Sequence, residues 1–145
     1  MASRRPQVLM SFVVDASVAI AWAFNERHAT AAHTRARIRT EAAIVPALWW
    51  YELRNVLVLG ERRGRLTERE TIRFLRDISR LAITMDASPD ESRVLTLARR
   101  HRLTVYDAAY LELAAREALP LATLDTELAA AAQAEQVALI GTDIH

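Results

Sequence analysis

Short apolar runs alternate along this chain with longer helical stretches, and that alternation confines the fold more than any other feature of the sequence. Val8 to Val14 is a continuous apolar run rich in β-branched residues, the mark of a strand buried on both faces. Ser17 to Phe24 and His28 to Thr40 read as helices, and Ala43 to Val45 as a short strand stopped by Pro46. Leu48 to Arg63 is the longest helical stretch, with Gly64 placed to end it. Thr67-Glu-Arg-Glu70 is a capping box that opens a helix running to about Arg80. Leu81 to Met85 is strand-like. Ser88-Pro-Asp-Glu91 forms a second capping-box pattern, with proline at the first helical position of a helix reaching about Arg100. Leu103 to Val105 is too short to assign. Asp107 to Ala118 reads as a helix, Leu121 to Leu124 as a strand, Thr126 to Ala134 as a helix and Val137 to Ile140 as a final strand.

Strands separated in this way by helices imply parallel pairing, with helices covering both faces of the sheet. The expectation is a three-layer α/β/α sandwich in one domain, residues 10–145, preceded by an extension over residues 1–9. The length of 145 residues suits a single core. In such sheets ligands sit beyond the carboxyl ends of the strands, so the residues there are the ones to weigh.

Composition removes many chemistries. Without cysteine there are no disulfides, zinc–thiolate sites or cysteine nucleophiles. All 19 basic residues are arginine, which excludes Schiff-base catalysis. Three glycines, Gly60, Gly64 and Gly141, cannot supply a Gly-rich nucleotide loop. A net charge of +1 does not by itself indicate nucleic acid. Ser3-Arg4-Arg5 before Val8 has the outline of an export signal, but the apolar stretch is short and ends at Asp15. The protein is therefore expected to be cytoplasmic, with no membrane association, and Met10 is an alternative start.

Asp15 follows the first strand and Asp125 follows Leu121-Ala-Thr-Leu124; either one caps the next helix or belongs to a site. Ser17 and Thr123 place hydroxyls nearby. Asp107 carries the same two readings. Glu52 is harder to explain structurally, because its neighbours one turn away are Leu48, Trp49, Asn55 and Val56, with no cation among them. Glu112, by contrast, has Arg116 at i+4 and reads as a surface pair. Asp86 reads as a turn residue, Asp90 and Glu91 as helix-start residues, Asp143 as part of a frayed end, and Glu127 as at most an outer ligand. The four histidines show no ligand spacing. Trp49, Trp50 and Tyr51 suit a core or interface better than base stacking, and Arg62, Arg63, Arg65 and Arg69 suit a solvated face better than a phosphate site.

Oxygen ligands without histidine or cysteine select hard cations, Mg²⁺ or Mn²⁺, and one chemistry for such a site is phosphodiester hydrolysis. A receiver domain of the response-regulator type needs a lysine that this chain lacks. A haloacid-dehalogenase-type phosphatase needs Asp-x-Asp, where the chain has Asp15-Ala16-Ser17.

From about Met10 the chain resembles the PIN-domain family, in particular the VapC-type toxins of type II toxin–antitoxin modules. Phe12-Val-Val-Asp-Ala-Ser-Val18 is similar to the family's first-strand motif, and Pro46-Ala-Leu-Trp-Trp-Tyr-Glu52-Leu-Arg-Asn55 to its second-acid helix. Arg62-Arg-Gly-Arg-Leu66 resembles the turn that follows. Tyr106-Asp107-Ala-Ala-Tyr110 and Leu121-Ala-Thr-Leu-Asp125 resemble the third and fourth acidic motifs. The resemblance implies a mostly parallel five-stranded sheet and a Mg²⁺- or Mn²⁺-dependent endoribonuclease. It implies metal binding and catalysis by Asp15, Glu52, Asp107 and Asp125, supported by Ser17 and Thr123. It also implies an RNA substrate and a cognate antitoxin whose C-terminal segment occupies the groove and inserts an arginine toward the carboxylates. The apolar helix 47–59 adds the expectation of a homodimer. The alternative is a catalytically silent PIN module that binds RNA or a protein partner.

Overall fold

The computed structural model describes residues 10–141. The expected extension over residues 1–9 lies outside them, as does Asp143. In chain order the elements are β1 (Met10–Val14), α1 (Ala16–Ala23), α2 (Ala29–Arg37), β2 (Ala42–Pro46), α3 (Leu48–Arg62), α4 (Glu68–Ser79), β3 (Ile83–Asp86), α5 (Glu91–His101), α6 (Val105–Glu117), β4 (Leu121–Ala122) and α7 (Thr126–Ala134). The strands form one sheet in the order β3-β2-β1-β4, and every pairing is parallel. Val13 pairs with Ile44 on one side and Leu121 on the other, so β1 is central. Phe12, Val13 and Val14 are fully buried, which explains three apolar residues in succession on a strand covered on both faces. Helices α1, α2 and α3 pack together; α6 lies on β1 and β2 and contacts α5 and α7. The α/β/α arrangement is the one the sequence pattern requires.

The expected fifth strand is reduced. Among the described residues the sheet has four strands, and the segment near Leu139 adds one isolated parallel bridge to Leu121. Two hydrogen bonds make it: Leu121 N–H to Ala138 O at 2.8 Å, and Ile140 N–H to Leu121 O at 3.0 Å. It cannot lengthen, because Val137 N–H is still bonded to Ala132 O at the end of α7 and Gly141 turns away with φ +77°. Its partner β4 is itself only two residues long. β4 stops before Thr123, whose hydroxyl is engaged by the site described below. Pro46 does not stop β2 but is its last residue, paired with Asp86.

Helix ends follow local chemistry. The capping box at Thr67 is present in full: Thr67 Oγ1 accepts from Glu70 N–H at 3.1 Å, and Glu70 accepts from Thr67 N–H at 3.0 Å. Gly64 stands just beyond α3 with φ +72°, a conformation that costs residues with a Cβ. The expected Ser88 box is not used. Asp90 is the N-cap of α5, accepting from Arg93 N–H at 3.1 Å, and Glu91 is the first helical residue. α6 begins at Val105 rather than Asp107, capped by Thr104.

Glu112 overturns its reading as a surface residue. Its side chain is 1% exposed, because α6 is covered by α5 along that face. Arg116 bonds it at 2.9 Å, and the same guanidinium reaches Asp86 at the end of β3 at 2.7 Å. Asp90 N–H, at the start of α5, donates to Glu112 at 2.8 Å. Three elements thus close around one arginine, whose pKa is held above the ordinary guanidinium value by the bonds to Asp86 and Glu112. Removing one member strands a buried charge. Arg116→Met is expected to lower unfolding free energy by about 3 kcal/mol in urea titrations. A loss near zero would show that Glu112 finds solvent instead.

Candidate active site

The carboxyl edge of the sheet gathers the candidate residues. Asp15 is the first residue beyond β1 and stands at the N-cap position of α1, yet its side chain makes no cap bond. Its carboxylate turns instead to the opposite loop. Ser17 Oγ donates to Asp15 Oδ2 at 2.8 Å, and Thr123 Oγ1 donates to the same oxygen at 2.7 Å. Each hydroxyl in turn accepts a backbone N–H: Ser17 from Leu124 at 3.0 Å, Thr123 from Asp125 at 3.0 Å. The single proton of each hydroxyl is therefore directed at Asp15. Asp15 is 5% exposed. Burial raises its pKa above the ordinary carboxylate value, the two hydroxyls oppose the rise, and the Asp125 charge adds to it.

Asp125 does cap α7, its Oδ1 accepting from Glu127 N–H at 2.9 Å and Leu128 N–H at 3.1 Å. Capping and a place at the site are compatible here, because the cap uses one carboxylate oxygen. Asp107 does not cap. It is the third residue of α6, and its own N–H is capped by Thr104 at 3.1 Å. Burial and the charges of Asp125 and Asp15, with a smaller share from Glu127, push its pKa up to about 6 against the Thr104 bond. Glu52 lies on the second turn of α3. Its pKa is raised by burial and by the charges of Asp15 and Asp107, and is lowered in part by a hydrogen bond. The donor of that bond is Tyr110, whose hydroxyl reaches Glu52 Oε1 at 2.6 Å.

Tyr110 is the site residue that reading the acids alone overlooks. It is fully buried, and burial together with the charges and hydrogen bond of Asp15 and Glu52 raises its own pKa, so it remains a donor. Its signal in the sequence is the spacing from Asp107: three positions on along one helix place both on one face. Glu127 enters the same field from α7.

The four acids share one electrostatic field, and among the described residues no salt bridge joins any of them to an arginine or histidine. Elsewhere the chain neutralises its buried acids, as at Glu112. Uncompensated carboxylates in a shared, partly buried edge have the donor chemistry and the charge deficit that a hard divalent cation meets. Among the described residues no three His, Cys, Asp or Glu side chains stand as a ready-made cation cage. Asp15, Glu52 and Asp125 each hold one oxygen against a hydroxyl or amide partner, which leaves the second oxygen of each carboxylate for a ligand.

A family model for the PIN domain matches residues 12–134. The chain belongs to the PIN-domain family. It is similar to Ribonuclease VapC3 of Pyrobaculum aerophilum, with 34% identity over 123 residues, covering 83% of this chain and 93% of that protein. It is also similar to the crystal structure of PAE2754 from Pyrobaculum aerophilum, with a TM-score of 0.68, 30% identity and 84% of each chain covered. In this chain Asp15, Glu52, Asp107 and Asp125 come within one another's electrostatic field at the carboxyl edge of the sheet.

The raised pKa of Asp107 carries a sign. Between its ordinary value of 3.8 and about 6 the folded protein binds the proton more tightly than the unfolded chain. The stability this supplies is complete below the unfolded value and is lost as pH rises through about 6. In cation-free buffer, Asp107→Asn is expected to raise the unfolding temperature by a few degrees at pH 7.5 and little at pH 4. Equal effects at both pH values would refute charge repulsion as the cause.

Proposed function

We propose that this chain is the toxin of a type II toxin–antitoxin module, an endoribonuclease that hydrolyses RNA phosphodiester bonds with the aid of Mg²⁺ or Mn²⁺. The observation that carries the reading is the shared field of Asp15, Glu52, Asp107 and Asp125 with no cationic partner. The similarity to a ribonuclease of the VapC type supports it.

In this reading Asp15, Glu52, Asp107 and Asp125 hold the cation. When bound, the ion supplies Lewis acidity and charge neutralisation at the phosphoryl group. Ser17 and Thr123 keep the Asp15 carboxylate aimed by occupying Oδ2 from one side. Tyr110 does the same for Glu52, and as a neutral donor it adds no competing charge. Asp107 holds a proton below about pH 6 when no cation is present and must release it on binding, so cation affinity falls as the medium is acidified. Arginines near the groove position the RNA backbone by phosphate contacts, which carry no sequence information.

The partners follow from the same reading. A cognate antitoxin covers the groove and offers a cationic side chain to the carboxylates, neutralising them in place of metal. A homodimer uses the exposed flank of α3, where Val58 is 41% exposed. The cellular setting is the cytoplasm. Among the described residues no helix is long and apolar enough to cross a membrane.

The test is cleavage of single-stranded RNA by purified protein. Activity is expected with Mn²⁺ or Mg²⁺, to vanish with chelator and to return when the ion is restored. Asp15→Asn is expected to reduce the rate on the order of a hundred-fold or more. Cleavage that survives both chelator and Asp15→Asn would overturn the metal mechanism. A wild-type protein that binds RNA without cutting it would favour the silent module.

A further inference from the structure

We propose that an aromatic rim on the first turns of α3 and α6 stacks the unpaired bases flanking the phosphodiester at the acidic site. The inference rests on the ribonuclease reading and adds to it the side chains that hold the bases on either side of the cut.

Among the described residues seven large apolar side chains are exposed, and four of them lie in just these two helical turns: Trp50, Tyr51, Val105 and Tyr106. Scattered apolar residues on a surface need no explanation, but a concentration beside a site does. Tyr51 is 69% exposed and Tyr106 is 63% exposed. Each immediately precedes a site acid, Glu52 and Asp107 respectively. Consecutive residues on a helix are about 100° apart, so an acid turned toward the site leaves the preceding tyrosine on the adjoining rim. The Tyr110–Glu52 hydrogen bond sets α6 against α3 across the site. Tyr106 is one turn before Tyr110 and Tyr51 adjoins Glu52, so both walls carry a ring.

The chemistry of the rim favours nucleic acid over a protein surface. Trp50 meets Tyr51 edge to face, with ring centroids 5.0 Å apart. The Arg54 guanidinium lies 3.9 Å from the Trp50 ring centroid and donates to Trp50 O at 3.2 Å. Among the described residues Arg54 has no acidic partner, and its N–H donors stand with Trp50 on the flank of α3 beyond Tyr51, about 160° around the helix from Glu52, where a strand leaving the site would carry a further phosphate. Aromatic faces interleaved with an arginine are what single strands use, since every base has a π-face and every link a phosphate. A duplex keeps its bases stacked on each other and has none to offer.

The experiment sets ring against base. After the cut bond in a single-stranded RNA is mapped, KM and kcat are measured for that oligonucleotide and for copies lacking one flanking base at a time. The proteins are wild type, Tyr51→Leu, Tyr106→Leu and the two phenylalanine counterparts. Leucine keeps apolar bulk and removes the π-face; phenylalanine keeps the ring. Each leucine variant is expected to raise KM on the order of ten-fold with kcat nearly unchanged, and phenylalanine to restore it. Deleting the matching base should cost wild type the same factor and the leucine variant nothing. KM values equal across the variants, or losses indifferent to the base, would overturn the rim. So would leucine variants that dissociate a homodimer while KM holds, an outcome that assigns the rings to a second copy. If wild type cuts no RNA, the ribonuclease reading fails separately. The rim then stands on quenching of tryptophan fluorescence by single-stranded RNA, absent in Trp50→Phe and absent with duplex, and it falls if no quenching is seen.

Discussion

Two hydroxyl bonds to one buried carboxylate organise the carboxyl edge of the sheet. Asp15 ends β1, and Thr123, which donates to it, lies 108 positions further along the chain. Ser17 donates to the same oxygen and also receives Leu124 N–H. The loop between β4 and α7 is thereby fastened to the start of α1. The fastening halts β4 after two residues and brings Asp125 alongside Asp15. A carboxylate buried to this degree without hydroxyl partners would be driven toward its neutral form. With them, the fold holds a partly relieved acid where a site can use it.

The second junction is the bond between Glu52 and Tyr110, which joins the helix after β2 to the helix before β4. It is shaped by the same constraint: an acid on an apolar helix requires a donor, and here the donor is neutral. The contrast with Glu112 is instructive. There an arginine closes a three-way junction of β3, α5 and α6, and the charge is settled internally. At the carboxyl edge no arginine takes that part, and Asp15, Glu52 and Asp107 are all shifted upward by burial and by neighbouring carboxylates. Unsettled charge of this kind is common at functional sites.

Much of this was legible beforehand because it depends on local pattern. The Thr67 box and the Gly64 stop are decided within a few residues, and both are present. Asp15, Glu52, Asp107 and Asp125 could be picked out because three follow strands or open helices and one sits on an apolar helix without a cation. What escaped depends on packing. Glu112 looks like a surface partner of Arg116 until α5 is laid over it. The Ser88 box looks sound until Asp90, bonded through its N–H to Glu112, takes the cap. Tyr110 has no partner until α3 faces α6.

The sequence by itself pointed to the layered α/β architecture, since strands alternating with helices favour parallel pairing through crossovers, and it determined the set of acids and the absence of cysteine. The tertiary structure decided which acids cap, which are neutralised and which share a field. It decided that the last strand shrinks to a single bridge, and it left Tyr51 and Tyr106, the residues preceding Glu52 and Asp107, exposed. The reason is common to all of these. A side chain's partner is a matter of distance in space, and pairs such as Asp15 with Thr123 or Glu52 with Tyr110 are set by packing alone.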